Sequence, residues 1–410
     1  MSSTKGTCLG CGNELPEPFL SLGKMPLANA YVRPEKTDSP EPSFPLAVAY
    51  CPVCHLVQLT DIVPPEEMFS EYLYFSSFSD SFLAHARGMA HELIKRFHLD
   101  TENLVLEIGS NDGYLLQHFH KRGIRSLGVE PAKNIAAEAQ RRGIPTLNRF
   151  FGTAAVKEIL QIFGKADLII GNNVLAHIPG INEFLLAVKA CLRPSGIVVF
   201  EFPHLKELLD KTEFDTIYHE HVFYLSVSAL IVLAERAGLQ LFDVTRHRVH
   251  GGTLLVFLQK GQTQPVTSNV ATMVAGEVVA GLTSPERYAS FSREVASLKQ
   301  QLLSMLHGLK ASGKRIAGYG APAKGNILLN YCGIGPDLLE FTVDRSPHKQ
   351  GLFTPGSRLP IRDPAFLVKE VPDYTLILPW NLAGEIISQQ KEYIHKGGSF
   401  IIPVPEPMII

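Results

Sequence analysis

The spacing of apolar and polar residues divides the chain into four sections. Residues 1–65 show little helical periodicity, and the Pro-rich stretch at 34–45 reads as a loop between two short hairpins. Residues 66–100 and 268–312 carry apolar positions at helical spacing. Between 103 and about 260 apolar runs alternate with helical patterns, and a second alternating set starts at 313. These patterns predict the sections 1–65, 66–265, 266–312 and 313–410.

The apolar runs between 103 and 260 have the length and bounds of buried strands. They read LVLEIG, SLGVEP, ADLIIGNN, GIVVFEFP and TLLVFLQ, and amphipathic helical patterns separate them. Such alternation is typical of parallel strands with helices on both faces. The runs after 313 are enough for a second, smaller domain of the same kind. The predicted fold class is therefore α/β: a small N-terminal module, a Rossmann-like core and a smaller C-terminal Rossmann-like domain.

Composition narrows the class of protein. Thirty-eight basic residues nearly balance forty acidic ones, so no positive field is present to hold a nucleic acid. The N-terminus lacks the apolar core of a secretion signal, and the longest apolar runs are too short to span a bilayer. We expect a cytoplasmic protein with no nucleic-acid or membrane partner. The sequence carries no clear oligomer signal, and we expect a monomer or a small homo-oligomer.

Four of the six cysteines lie in two pairs near the N-terminus, at Cys8, Cys11, Cys51 and Cys54. A Cys-x2-Cys turn places two thiolates on one tetrahedral Zn2+, and two such turns complete four-coordination. No position is left for water, so the predicted Zn2+ is structural and holds together a segment with little apolar content. The alternative is a set of buried or redox-active cysteines.

Glycines and acidic residues follow the first two core strands. Glu107, Gly109 and Gly113 form the pattern E-x-G-x-x-x-G in LVLEIGSNDGYLL, which resembles motif I of class I S-adenosylmethionine methyltransferases. Asn111 occupies the position where a dinucleotide fingerprint has its second glycine. Glu130 ends the second strand, where a carboxylate can accept both ribose hydroxyls, and Asn172 and Asn173 end the fourth. The predicted cofactor at this edge is S-adenosylmethionine.

Residues 213–224, EFDTIYHEHVFY, concentrate proton-handling groups before a helix that we expect Ser226 to cap. Methylation of carbon next to a ketone needs a base for the α-proton and a donor for the enolate oxygen. Histidine suits the base near neutrality, a carboxylate can fix its tautomer, and a tyrosine or second imidazole can donate. Tyr218, Glu220 and His221 are therefore catalytic candidates. A packed core histidine or a metal site through His219 and His221 are the alternatives.

The segment GKRIAGYGAPAKGNILLNY at 313–331 reads as a strand, a glycine turn and a helix start. A helix N-terminus beside Lys324 is a candidate anion site, and Asn326 lies in the same segment. Arg345 and Lys349 follow the next strand, with Asp344 as a possible ribose ligand of an independent dinucleotide site. A packing turn without a ligand is the other reading.

Together the cysteine pairs, EIGSNDG, YHEH and GYGAPAKGN resemble the nucleotide-sugar C-methyltransferases that build branched deoxysugars, over nearly the whole chain. The resemblance implies methylation of a nucleoside-diphosphate 4-keto-6-deoxysugar at C3 or C5. It places the catalytic histidine at His221, with Tyr218 and Glu220 beside it and a second histidine at His177. It also makes Tyr72 a substrate contact and assigns the sugar nucleotide to the C-terminal domain.

Other classes of function stay open at this point. A sugar O- or N-methyltransferase needs a base only for a hydroxyl or an amine. A noncatalytic zinc-bearing binding protein would not bind S-adenosylmethionine. An oxidoreductase acting through the C-terminal domain would bind NAD(H).

Overall fold

The computed structural model describes residues 2–3, 6–64, 67–68, 80–247 and 252–410. The N-terminal section forms antiparallel strands with the two cysteine turns at one end. In each turn the backbone bends back on itself, with Gly12 N–H donating to Cys8 O and His55 N–H to Cys51 O. Its strands are β1 (Ser2–Ser3), β2 (Leu20–Met25), β3 (Phe44–Tyr50), β4 (Val57–Leu59) and β5 (Asp61–Ile62).

The central section is a twisted sheet of mostly parallel strands. Between 104 and 259 the strands are β6 (Leu104–Ile108), β7 (Arg125–Val129), β8 (Thr146–Leu147), β9 (Ala166–Asn172), β10 (Leu192–Pro203), β11 (Phe223–Tyr224), β12 (Gln240–His247) and β13 (Thr253–Gln259). The sheet order is β12-β13-β10-β9-β6-β7-β8. The carboxyl ends of β6, β7 and β9 therefore meet at one edge.

One predicted strand runs in the opposite direction. TLLVFLQ, expected to be parallel, is β13, and it pairs antiparallel with both β10 and β12. The reason is β12, which the apolar pattern did not reveal. The connection from β12 to β13 is too short for the crossover that parallel strands require.

Helices cover the sheet and link the sections. They are α1 (Asp80–Arg96), α2 (Leu116–His120), α3 (Lys133–Arg141), α4 (Thr153–Ile162), α5 (Ile181–Cys191), α6 (Leu205–Asp210), α7 (Val227–Arg236), α8 (Ser268–Val279), α9 (Pro285–Ala311), α10 (Ala323–Cys332), α11 (Ala365–Glu370), α12 (Ala383–Gln389) and α13 (Lys391–His395). The predicted cap of α7 is confirmed, since Ser226 Oγ accepts from Ala229 N–H at 3.1 Å. No helix in these described ranges is long and apolar enough to cross a membrane.

β11 lies within the central section of the sequence but pairs with the N-terminal sheet, not with the central one. The order of the N-terminal sheet is β11-β4-β3-β2, with Phe223 opposite Gln58 and Tyr224 opposite Val57. Leu59 N–H also donates to Val222 O at 2.8 Å. The segment that carries the YHEH motif is therefore bound directly to the N-terminal module.

The long helix α9 buries one face along its length. Its buried side chains, including Tyr288, Phe291, Val295 and Leu298, recur every three or four residues, as an amphipathic helix requires. Tyr288 stacks on Tyr50 of β3 with ring centroids 4.4 Å apart. The section predicted as a helical connection thus shares a core with the N-terminal module.

The C-terminal section is a second sheet flanked by α10 to α13. Its strands are β14 (Ile316–Tyr319), β15 (Thr342–Val343), β16 (Ile361–Arg362), β17 (Tyr374–Ile377), β18 (Ser399–Ile402) and β19 (Met408–Ile409). The order is β16-β15-β14-β17-β18-β19, and only β19 is antiparallel to its neighbour among these described strands. The exact boundaries 65, 265 and 312 stay a prediction.

Candidate functional site

The four N-terminal thiols form one compact cluster. Cys8 and Cys54 Sγ lie 3.5 Å apart, Cys11 and Cys51 Sγ lie 3.6 Å apart, and all four lie within 4.8 Å of one another. Tetrahedral zinc with Zn–S bonds of about 2.3 Å places its sulfurs about 3.8 Å apart. The ligand set and spacing therefore fit a closed structural zinc site, as predicted.

The first glycine turn follows β6 and lies at the carboxyl edge of the sheet. Gly109 and Gly113 adopt φ angles of +66° and +78°. A Cβ at Gly109 would lie 2.8 Å from Val174 Cγ2, so both conformation and space favour glycine there. Gly113 packs against Ile144 in the same way, behind the turn.

The Glu130 carboxylate is held at this edge by backbone donors. Its two oxygens accept from Asn111 N–H at 3.0 Å and from Ala132 N–H at 2.9 Å. A carboxylate oxygen can accept more than one hydrogen bond, so this arrangement fixes the group and leaves capacity for hydroxyl donors. The fixed carboxylate suits the ribose role predicted for Glu130.

The other cofactor candidates divide between cavity and interior. Asn172 and Asn173 lie at the cavity wall, and Asn172 Nδ2 donates to Tyr114 OH at 3.2 Å. Glu107 is completely buried behind the turn, and burial, with Glu130 and Asp112 nearby, raises its pKa well above the usual range. Glu107 and Gly113 therefore shape the turn from behind, while Asn111 and Gly109 line the cavity.

A cavity of about 770 Å3 opens where the N-terminal, central and C-terminal sections meet. The cofactor edge forms one wall, the YHEH loop forms another, and the N-terminal and C-terminal sections close the remaining sides. The side chains and backbone that line it include Asn29, Tyr31, Gly109, Asn111, Glu130, Asn172, Asn173, His177, Glu213, Tyr218, Glu220, His221, Lys324 and Lys349.

Tyr218 and His221 form a hydrogen-bonded pair in this cavity. His221 Nδ1 lies 3.2 Å from Thr216 O, and a carbonyl can only accept, so Nδ1 carries the hydrogen. His221 Nε2 is therefore the acceptor of the Tyr218 hydroxyl hydrogen at 2.7 Å. Burial, with His177 nearby, holds the pKa of His221 well below its usual value. The imidazole is thus neutral, and its basic nitrogen Nε2 accepts from Tyr218, which also lines the cavity.

His177 stands beside this pair. Its Nδ1 donates to Glu220 O at 2.7 Å, and its ring centroid lies 4.9 Å from that of His221. Burial lowers the pKa of His177 to about 4. The Glu220 side chain accepts from Asn29 Nδ2 at 2.6 Å, so the N-terminal module holds the loop next to both histidines. The structure thus brings the four catalytic candidates together.

His219 points the other way. It is buried, and its Nε2 lies 3.3 Å from Phe44 O in β3. The thiol cluster is the one potential metal-binding group of three or more His, Cys, Asp or Glu side chains within the described ranges. The alternative of a metal site through His219 and His221 therefore has no support.

The C-terminal candidates divide in two. Lys324 and Lys349 line the cavity, whereas Arg345 is exposed and lies 3.7 Å from Glu385. Asn326 is buried and donates to Ala28 O at 2.7 Å, which makes it a packing contact with the N-terminal module. The strand and turn around Lys324 follow the predicted pattern, but of the four predicted substrate-binding residues in this domain only the two lysines line the cavity.

Asp344 stabilises the turn between β14 and α10. Its two oxygens accept from Ala321 N–H at 2.7 Å and from Ser346 N–H at 2.8 Å. Lys349 Nζ lies 3.7 Å from the same carboxylate. These contacts account for Asp344 without a ribose. Tyr72, expected to contact the substrate, lies outside the described residues.

Three cavity residues, Asn29, Tyr31 and Glu213, were not among the predicted site residues. Asn29 holds Glu220, and Tyr31 donates to Ala321 O at 2.6 Å while its ring centroid lies 5.2 Å from Lys349 Nζ. Glu213 is buried, and burial raises its pKa to about 7. Only Glu213 had a signal in the sequence, since it begins the stretch 213–224 that carries the YHEH motif.

Comparisons with known proteins agree with this arrangement. A family of candidate zinc-binding domains matches residues 8–69, a methyltransferase domain family matches 82–244, and a C-methyltransferase C-terminal domain family matches 248–405. The C-methyltransferase NovU of Streptomyces niveus is 39% identical over 404 residues, which cover 98% of this chain and 96% of that relative. These matches confirm the predicted fold class and order of sections.

More distant likenesses cover less than half of the chain. A ubiquinone biosynthesis O-methyltransferase of Rhodopseudomonas palustris is 29% identical over 96 residues, 23% of this chain and 38% of that protein. An S-adenosylmethionine-dependent methyltransferase structure from Clostridium acetobutylicum is 12% identical, with a TM-score of 0.36, over 45% of this chain and 94% of that one. Magnesium protoporphyrin IX methyltransferase of Synechocystis, solved with bound S-adenosylmethionine, is 12% identical, with a TM-score of 0.33, over 44% and 82%.

Proposed function

Because the chain belongs to the family of C-methyltransferases, and is therefore an enzyme, we propose that it methylates a keto-sugar carried on a nucleotide. The substrate class is a nucleoside-diphosphate 4-keto-6-deoxysugar, methylated at C3 or C5, and the methyl donor is S-adenosylmethionine. The observation that carries the proposal is one cavity that holds both the glycine edge of the sheet and the Tyr218–His221 pair.

The proposed donor site is the edge formed by Gly109, Asn111, Glu130, Asn172 and Asn173. S-adenosylmethionine supplies an electrophilic methyl group when bound. Glu130, already fixed by two backbone N–H groups, accepts the ribose hydroxyls. Val174 lies so close to Gly109 that this part of the edge has no room for a side chain.

The proposed base is His221. A neutral imidazole with Nδ1–H bonded to Thr216 O presents Nε2 as the proton acceptor. Nε2 takes the α-proton as the C–H bond breaks, and the electron pair moves towards the ketone oxygen to form the enolate. The Tyr218 hydroxyl donates a hydrogen bond to that oxygen, because neutral His177 already gives its only N–H, on Nδ1, to Glu220 O. S-adenosylmethionine would supply its methyl group to that carbon as the methyl–sulfur bond breaks and the thioether leaves. Holding both reactants in one cavity would contribute much of the rate.

The proposed nucleotide site is the wall that carries Lys324 and Lys349. A helix N-terminus favours anions, because its free N–H groups point towards them. The two ammonium groups beside the N-terminus of α10 therefore suit a diphosphate. Lys349 Nζ also lies over the ring of Tyr31, so this residue of the N-terminal module would lie next to the bound nucleotide. Tyr72 stays a predicted substrate contact, and Glu220 a predicted positioning group for the histidines.

Product analysis with purified protein tests the proposal. We expect methyl transfer to a nucleoside-diphosphate 4-keto-6-deoxysugar, with a C–CH3 NMR signal that survives acid hydrolysis. His221→Ala should lose most turnover while still binding S-adenosylhomocysteine, and His219→Ala is the matched control because His219 faces the N-terminal module. A methyl group on oxygen or nitrogen would instead establish the O- or N-methyltransferase alternative, and full activity of His221→Ala would refute the base.

A further inference from the structure

A buried carboxylate joins the loop before the YHEH motif to the C-terminal domain. Asp215 lies in the short 3-10 helix Phe214–Thr216 and has no exposed surface. Its Oδ2 accepts from Trp380 Nε1–H at 2.7 Å, across 165 positions of sequence. Trp380 starts the 3-10 helix Trp380–Leu382 that follows β17 and is the only tryptophan of the chain.

The same short helix supports the proposed base. Thr216 O accepts the Nδ1 hydrogen of His221, so the position of this carbonyl sets the tautomer and the angle of the imidazole. Phe214 packs on Tyr331 of α10 with ring centroids 5.2 Å apart. Of the two neighbours of Asp215, Phe214 thus contacts the C-terminal domain and Thr216 contacts the proposed base.

The indole of Trp380 also reaches the cavity wall. Lys324 Nζ lies 4.4 Å from its ring centroid, within range of a cation–π interaction. Lys324 Nζ donates to Asn381 Oδ1 at 2.9 Å and lines the cavity. One continuous set of contacts therefore runs from Lys324 through Trp380 and Asp215 to Thr216 and His221.

We propose that Asp215 and Trp380 are positioning residues, through which the C-terminal domain fixes the orientation of His221. The hydrogen bond between them holds the 3-10 helix, whose Thr216 carbonyl in turn holds the imidazole. An anion bound at Lys324 acts on the indole and so on the same set of contacts. The inference rests on the proposed function, in which His221 takes the α-proton and Lys324 faces the nucleotide.

Three variants separate positioning from packing. Trp380→Phe removes the N–H donor, Asp215→Ala removes the acceptor, and Asp215→Asn keeps an oxygen that can accept. We expect the first two to lower kcat by roughly 10- to 100-fold, as for a small misplacement of a catalytic group, with KM for the sugar nucleotide within about twofold. Asp215→Asn should restore most of kcat.

Tyr393→Phe is the matched control. Tyr393 is a buried residue of the same domain whose hydroxyl donates to Pro372 O at 2.9 Å, and it does not line the cavity. Its loss removes a buried donor from the domain without touching the contacts to His221. We expect lower thermal stability and an unchanged kcat.

Two readouts complete the test. Exchange of the substrate α-hydrogen in D2O, with S-adenosylhomocysteine bound, measures proton abstraction alone and should slow with kcat in Trp380→Phe. The single indole N–H resonance should move in Asp215→Ala and stay near its place in Asp215→Asn. Unchanged exchange in Trp380→Phe, or an indole resonance that ignores Asp215→Ala, would overturn the inference. Absence of both exchange and C-methylation in the unchanged protein would instead overturn the proposed function.

Discussion

The hydrogen bond between Tyr218 and His221 allows the proton acceptor to be identified by one substitution, Tyr218→Phe. The two rings pack with centroids 4.0 Å apart, and phenylalanine keeps that contact. The change therefore removes the 2.7 Å hydrogen bond to His221 and keeps the ring contact. Such a bond contributes about 1 kcal/mol to folding, so the variant should remain folded.

The expected effect on turnover depends on which group takes the α-proton. If His221 takes it directly, the hydroxyl leaves Nε2 when the substrate arrives and donates to the enolate oxygen, so its loss lowers kcat by roughly the 10²-fold that one such donor contributes. If instead the Tyr218 oxygen takes the α-proton and the hydroxyl hydrogen of Tyr218 moves to His221, loss of the hydroxyl removes the general base. General bases contribute about 10²- to 10⁴-fold, or roughly 3 to 5.5 kcal/mol of barrier.

We expect the first result. The measurement is the rate of α-hydrogen exchange in D2O with S-adenosylhomocysteine bound, made in parallel with single-turnover methylation. His221→Ala should lose both rates by about 10³-fold or more, while Tyr218→Phe should lose no more than about 10²-fold. Equal, severe losses in the two variants would show that the tyrosine oxygen is the acceptor and refute the assignment to His221.

Four further predictions concern the cofactor, the metal, and the pH dependence of activity and of stability. Glu130→Ala should raise the Kd for S-adenosylhomocysteine, by calorimetry, about tenfold or more while the sugar nucleotide binds as before; an unchanged Kd would contradict the ribose role. Removing zinc by chelation should lower both thermal stability and kcat, because the module holds Glu220 and β11; metal-free protein with full kcat would count against this. The base is the neutral imidazole of His221, whose pKa in the folded protein lies below 6.5. We therefore expect kcat/KM to decrease only when the pH drops below 6.5, and an apparent pKa of 7 or higher for the free enzyme would contradict this. Since the pKa of His177 falls to about 4 on folding, the unfolded chain binds more protons below pH 6.5, and stability should decline as the pH drops towards 4.

Local motifs in the sequence were enough to predict much of the fold and the core of the site. The glycine turn after β6 needs its two positive φ angles, and Glu130 follows the neighbouring strand, so their meeting at one sheet edge follows from parallel pairing. Tyr218 and His221 come together because they are three positions apart in a turn closed by His221 N–H to Tyr218 O. That turn also sends His219 to the opposite side.

What the sequence did not reveal depends on distant partners. Asn29 and Glu220 are 191 positions apart, and Asp215 and Trp380 are 165 apart. An amide and an indole have no distinctive pattern along the chain, so only the fold shows their role. The predicted direction of β13 was wrong for a related reason, since alternating apolar runs do not indicate which strands are joined by hairpins.

The pairing of β4 with β11 limits how this protein could be recombined with its relatives. A hybrid that took residues 1–62 from another enzyme would place a foreign edge strand against Phe223 and Tyr224. Its Asn29 equivalent would also have to reach Glu220. A functional exchange therefore requires the N-terminal module and the loop from Tyr218 to Tyr224 to be transplanted as one unit, although they are far apart in the gene.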